Sequence, residues 1–299
     1  MNGLDPFHSG ERTMQERVGV RERMARRGAA VIREYMPDQH RAFFGSLPFI
    51  IVGALDPEDG PIATVLSGPP GFIATPDART LSIAARPAPD DPAATGLLAG
   101  DAAGMLGIDL ATRRRNRVNG RVVANGPSCF TISVAQSFGN CAQYIQPREL
   151  RSTPATPRPA EALGHLDAAA VTAIAQADTL FVASASGARD DPWLGVDVSH
   201  RGGQPGFVRV DGNVLTIPDF SGNRFYNTLG NFLLHPRTGL LFIDFAAGDL
   251  LQVFGETEIL WDIPDQERLA GAELLWRVHI SRAWRRRNSL PFRLAKGAP

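Results

Sequence analysis

The chain of 299 residues sets 31 basic against 31 acidic side chains, for a formal net charge of zero. That balance excludes a protein that tracks nucleic-acid phosphates with an excess of basic charge. With 43% hydrophobic and 21% charged residues, a folded chain is expected, long enough for two domains of ordinary size. The two cysteines, Cys129 and Cys141, form neither a disulfide framework nor a zinc pattern, and a cytoplasmic setting is the expectation. No secretory signal and no run of membrane-spanning length is read. Lys296 is the only lysine, which argues against Schiff-base chemistry.

From Gly10 to Tyr35, apolar residues recur at helical spacing among alternating charges (Met14, Val18, Met24, Val31), predicting one or two amphipathic helices. IIVGAL followed by DPEDGP predicts a strand entering a hairpin. RSTPATPRP is a proline-rich linker. Leu163, Leu166, Val171 and Ile174 then predict a helix that feeds the strand FVASAS. Near the end, DQERLAGAELLW has helical spacing, WRVHIS alternates as a strand, and WRRRNSLPFRL is a basic tail.

Two stretches resemble each other. Gly68, Pro70, Gly71 and Phe72 match Gly203, Pro205, Gly206 and Phe207 at an offset of 205 − 70 = 135, and Ile108 and Asp109 match Ile243 and Asp244 at the same offset. Leu81 and Ile83 match Leu215 and Ile217 one residue closer, and Gly120 matches Gly255 at 135. Two copies of one β-rich module are therefore expected. The predicted division is an N-terminal helical segment over 1–40, a first module over 41–150, a linker and helix over 151–178, and a second module over 179–299.

The copies differ in chemistry. Aligned at the shorter offset, Ser221, Asn223, Arg224 and Asn227 face Pro87, Pro89, Asp90 and Ala93. In the second copy Ser221 is read as a helix cap, with Phe225, Leu229, Phe232 and Leu233 as the apolar stripe. No acid occurs from Ser221 to Phe242, and arginine replaces it in the expected first turn. An anion on the exposed amides, shared with Arg224, accounts for that inversion. Asp219, just before, opposes it mildly. Alone, the motif reads better as a cap beside a solvated charge; its loss from the sister copy tips the reading to a phosphate-bearing ligand.

Ser199, His200 and Arg201 end a strand, and Gly202 and Gly203 would let backbone approach a flat ligand. The first copy, VLSGPPGF, keeps the turn without the histidine and arginine. Gln143, Tyr144 and Gln146 close the first module and could reach the second module's site across a pseudo-twofold pairing. TRRRNRVNGR is read as a solvated basic loop, with binding of an acidic substrate as the alternative. Rossmann, Walker, HExxH and GxSxG patterns are absent, and no histidine pair suggests a metal.

Together, HRGG-PGFVRV, L-IPDFSGNR-YNTLGN, GLLFIDF, the LPF opening and FGNC-QYIQPR resemble the pyridoxamine 5′-phosphate oxidase-related, FMN-binding split-barrel family. The resemblance runs from about MPDQHR to WRRRNSLPFR. It implies a mainly β chain of two tandem split β-barrels with flanking helices, and FMN held between barrels. By position it assigns the phosphate to Ser221, Asn223, Arg224 and Asn227, and ring contacts to Ser199, His200, Arg201 and Pro218, beside Asp219. The lysine of the true oxidases has no counterpart in this site. The function expected is hydride or electron transfer through FMN, with His200 and Arg201 as catalytic candidates and NAD(P)H or another small molecule as donor. A flavin carrier or sensor, or a barrel holding haem or a deazaflavin, is the alternative. Homodimerisation stays open, and neither nucleic acid nor membrane is an expected partner.

Overall fold

The computed structural model describes residues 5–58, 60–189, 191, 194–263 and 269–295. Two helices open the chain, α1 (Ser9–Arg17) and α2 (Arg21–Val31), divided at Gly19, whose φ of +69° ends the first. A third, α3 (Asp38–Ser46), was not predicted. Its Phe43 and Phe44 pack into the core of the first barrel, buried beside Leu47.

The first sheet comprises β1 (Phe49–Leu55), β2 (Pro61–Ser67), β3 (Ile73–Ala74), β4 (Thr80–Ile83), β5 (Ala102–Asp109), β6 (Arg114–Asn125) and β7 (Phe130–Gly139), with a 3₁₀ turn at Pro92–Thr95. Then come β8 (Leu150–Ser152), β9 (Glu161–Leu163) and α4 (Ala168–Gln176), which Asp167 caps through the Ala170 amide. The second sheet is built from β10 (Thr179–Ala185), β11 (Val196–Gly202), β12 (Arg209–Asp211), β13 (Val214–Phe220), β14 (Arg237–Asp244), β15 (Asp249–Leu260) and β16 (Ala272–Arg286). It carries α5 (Asn227–Leu234) between β13 and β14, and β17 (Phe292–Leu294) pairs with β8.

Strand order is β2-β1-β5-β6-β7-β4-β3 in one sheet and β11-β10-β14-β15-β16-β13-β12 in the other, the same path twice. The fold is mainly β, two split barrels with flanking helices. Alternation along β1 and β10 explains why both read as unbroken apolar runs. Ile50 and Val52 fill the first barrel, and Leu180 and Val182 the second. Phe49, Ile51, Phe181 and Ala183 face the other way, into a third core where the sheets meet.

That contact is pseudo-symmetric. A Cβ on Gly104 would lie 2.8 Å from the Val196 carbonyl oxygen, and one on Gly239 only 2.3 Å from that of Pro61. Both pairs are related by 135 residues, so the offset seen in the sequence is a rotation in space.

The helix predicted over DQERLAGAELLW is corrected in part. Residues 264–268 lie outside the described residues, and Ala272–Trp276 belong to β16. Trp276 pairs there with Ile217 on one side and Ile259 on the other. A central strand offers backbone partners on both edges, and this outweighs a local helical preference.

Candidate functional site

A narrow cleft with ≈ 90 Å³ of space open to water lies where β6 of the first sheet meets β11, β13 and the loop 221–226 of the second. Side chains alternate along β11. Ser199 and Arg201 therefore share one face, while His200 points to the other and packs edge-on against Phe181, with centroids 5.7 Å apart. Arg201 bonds Asp219 at 2.6 Å. Burial, more than any other influence, raises the Asp219 pKa, opposed by Arg201.

The helix start differs from the expectation. It is Tyr226, at φ +62°, that precedes α5, and no side chain caps it. Ser221 lies five residues upstream and does not line the cleft; its carbonyl accepts from the Tyr144 hydroxyl at 3.0 Å. The cause is Phe225, which is buried against Phe7 and Phe138 at centroid distances of 5.2 and 6.0 Å. Arg224 and Tyr226 on either side adopt left-handed backbone, so the helix forms only beyond them. Of the predicted stripe, Leu229 and Phe232 are buried and Leu233 is exposed.

Asn223, Arg224 and Asn227 line the cleft. The Asn223 side chain accepts from the Phe225 amide, and Arg224 pairs with Glu273 of β16. Pro218 and Tyr144 also line it, Tyr144 stacked on Phe220 with centroids 5.3 Å apart. Gln143 is exposed and donates to the Tyr144 hydroxyl at 3.0 Å; neither Gln143 nor Gln146 is among the lining residues. Gly202 allows a close approach, but to the chain's own Tyr144 carbonyl, 2.3 Å from a Cβ placed there, and Gly203 sits against Phe207 in the same way.

Four charged residues went unread in the sequence. Arg115 and Arg117 belong to TRRRNRVNGR, which is exposed only over Thr112, Arg113 and Arg114. Arg117 crosses to the second sheet and meets Asp197 at 2.8 Å, Ser199 Oγ at 2.7 Å and Asn227 Oδ1 at 2.9 Å. Arg115 donates to His200 Nδ1 at 2.9 Å. The available signal was period two: Arg115, Arg117 and Asn119 alternate with Asn116, Val118 and Gly120, as one polar strand face requires. Glu11 and Glu273 gave no local signal, since α1 and β16 bring them from far along the chain. Glu11 accepts from Asn227, and burial foremost pushes its pKa up to about 8.

The cleft is cationic. Burial lowers the Arg115 pKa to about 10, with help from Arg117 and Arg201. His200 falls well below its ordinary value, first by burial and then through Arg115, Arg201 and Arg148. At neutral pH its ring is uncharged. Because arginine only donates, Nδ1 must accept and the ring proton sits on Nε2. That Nε2 is buried and has no partner among the described residues.

The equivalent place in the first sheet is filled from within. Strand register equates Thr64 with Ser199 and Gln252 with Arg117. Thr64, Gln252 and Arg286 all donate to the carboxylate of Asp91, which is 4% exposed. Val65, Leu66 and Leu250 stand where the second site has His200, Arg201 and Arg115.

Among the described residues no cluster of histidine, cysteine or acid could hold a metal, and no helix is long and apolar enough to cross a membrane. No family model matches the chain, and no curated protein does. Solved structures do. HupZ of Group A Streptococcus is 12% identical, with a TM-score of 0.31, over 40% of this chain and 92% of its own. An FAD-binding protein of Mesorhizobium loti is 16% identical, with a TM-score of 0.29, over 43% and 97%. A Lactobacillus delbrueckii protein provisionally called a pyridoxamine 5′-phosphate oxidase is 14% identical, with a TM-score of 0.28, over 36% and 95%. Each match has the extent of one module, and at these scores nothing about ligand or activity passes to this chain.

Proposed function

We propose that the cleft binds FMN and that the protein is an FMN-dependent oxidoreductase acting on a small-molecule donor. The observation that carries this reading is the start of α5. Its cap position supplies no side-chain acceptor and its first turn no acid, while Asn223 and Arg224 line the cleft together with Asn227 and Thr228 of that turn. A phosphate fits that donor set. Phe207, Pro218, Phe220 and Tyr226 supply flat apolar walls for a ring, and the buried Nε2–H of His200 is a donor awaiting an acceptor.

Bound FMN would supply the hydride or electron chemistry. The chain's own groups bind and orient it. Arg224 exchanges Glu273 for phosphate, Asn227 is held by Arg117 on one side and Glu11 on the other, and Tyr144 fixes the loop through the Ser221 carbonyl. Arg201 and His200 offer positive charge and a hydrogen-bond donor where negative charge would develop on a ring. Asp91 in the first sheet takes the place of such a ligand, which supports one cofactor per chain.

The purified protein's absorption spectrum, with mass spectrometry of the released ligand, tests the reading; a colourless protein that takes up no added FMN sinks it. A second reading, a flavin carrier without turnover, is favoured by one observation. Burial holds the His200 pKa well below its ordinary value and pushes that of Tyr226 up to about 12, which suits neither to proton exchange near pH 7. Oxidation of NADH or NADPH by the loaded protein separates the two readings.

A further inference from the structure

We propose that Arg115, held in place by His200, forms a second oxyanion subsite in the cleft, apart from the Arg224 end, which takes the carboxylate or phosphate group of a small anionic substrate. The proposal rests on the flavin reading only in assigning the cofactor phosphate to Arg224 and α5.

Charge matching carries it. The cleft contains four guanidinium groups, and three have a carboxylate of their own: Arg117 with Asp197, Arg201 with Asp219, Arg224 with Glu273. Arg115 has none among the described residues. Its partners are the uncharged His200 ring and the His200 carbonyl, at 2.9 and 3.4 Å. Its Nε is buried without an acceptor, as is His200 Nε2. Arg115 is half-buried, and a guanidinium even partly withdrawn from water is ordinarily paired with a counter-charge. The surroundings make this worse, since Arg117 and Arg201 repel it.

An oxyanion accepting from the Arg115 guanidinium would supply the missing counter-charge, while His200 holds the guanidinium in place through Nδ1. The two modules must both be present, because β6 supplies Arg115 and β11 supplies His200. The sister position to Arg115 is Leu250 and that to His200 is Val65, both apolar, so the pair is no requirement of the barrel. Asn140, Cys141 and Tyr144 line the same cleft, which Arg115 and His200 share with the Arg224 end.

Calorimetric titration of inorganic phosphate into the full chain, with and without FMN loaded, tests the subsite. The FMN-loaded wild type is expected to bind phosphate, and Arg115→Gln to weaken that binding by about tenfold or more while FMN affinity holds. Arg115→Gln should also melt no lower than wild type in the absence of ligand, because it removes an unmatched charge. Absence of phosphate binding by the loaded wild type, equal binding by Arg115→Gln, or loss of FMN together with phosphate would each overturn the subsite. A wild type that takes no FMN but shows Arg115-dependent phosphate binding sinks the flavin reading and leaves the subsite standing. Arg115→Met gives the same contrast if the glutamine variant folds poorly.

Discussion

Arg117 and Asp197 form a buried ion pair at 2.8 Å between strands of different sheets, each side chain only 4% exposed. The pair joins the modules and orders the floor of the cleft, since the same guanidinium holds Ser199 and Asn227. Removing one partner strands the other charge. Arg117→Gln is expected to lower stability by about 3–5 kcal/mol in urea unfolding. Arg113→Gln, at the exposed tip of the hairpin, should change it by less than about 0.5 kcal/mol.

Arg224 is the residue whose loss should release the cofactor. Arg224→Ala is expected to weaken FMN binding by at least about tenfold, the worth of a charge-assisted contact to phosphate. Asp90→Ala, at the aligned sister position, should leave affinity unchanged. Glu273→Gln should tighten binding, because Glu273 competes with phosphate for Arg224. Equal FMN retention by Arg224→Ala and Asp90→Ala would remove the phosphate assignment.

Glu11 links stability to pH. Its carboxyl is raised from 4.5 to about 8 in the folded protein, with burial the largest cause. Between those values the native state holds a proton that the unfolded chain has lost, so the stability it confers is present at low pH and falls as pH rises through 8. The slope approaches about 1.4 kcal/mol per pH unit for one proton. Glu11→Gln should flatten this part of the curve and leave the protein more stable than wild type at pH 8.5. Parallel curves from denaturant melts between pH 5 and 8.5 would dismiss Glu11 as the titrating group.

Asp91 should matter to folding and not to the cofactor. It is held by Thr64, Gln252 and Arg286 in the first sheet, and Asp91→Ala leaves the Arg286 guanidinium without its buried partner. A loss of about 3–5 kcal/mol is expected. The FMN content of whatever folds should be unaltered.

Tyr144 couples the first module to the loop of the second. Tyr144→Phe removes a hydroxyl bond to the Ser221 carbonyl, and with Gln143→Ala it should cost about 1 kcal/mol in FMN affinity, near fivefold. Fluorescence titration reads this directly, and an unchanged Kd would leave the pair a structural role only.

By itself the sequence determined the twinned module and which residues of its second copy stand near one another. The 135-residue offset survives as one strand order used twice and as the matched contacts of Gly104 and Gly239, because local patterns of turn and alternation repeat wherever a module repeats. It also determined that His200, Arg201, Asn223, Arg224 and Asn227 gather in one cleft, since they sit on neighbouring parts of a single module. It misplaced the helix start, where burial of Phe225 overrode a good capping residue. Tertiary structure alone decided the charge pattern. Arg115 and Arg117 cross from the other sheet, Glu11 from an N-terminal helix and Glu273 from β16, each at long range along the chain. Electrostatic pairing depends on distance through space, and only the packing of the two sheets sets those distances.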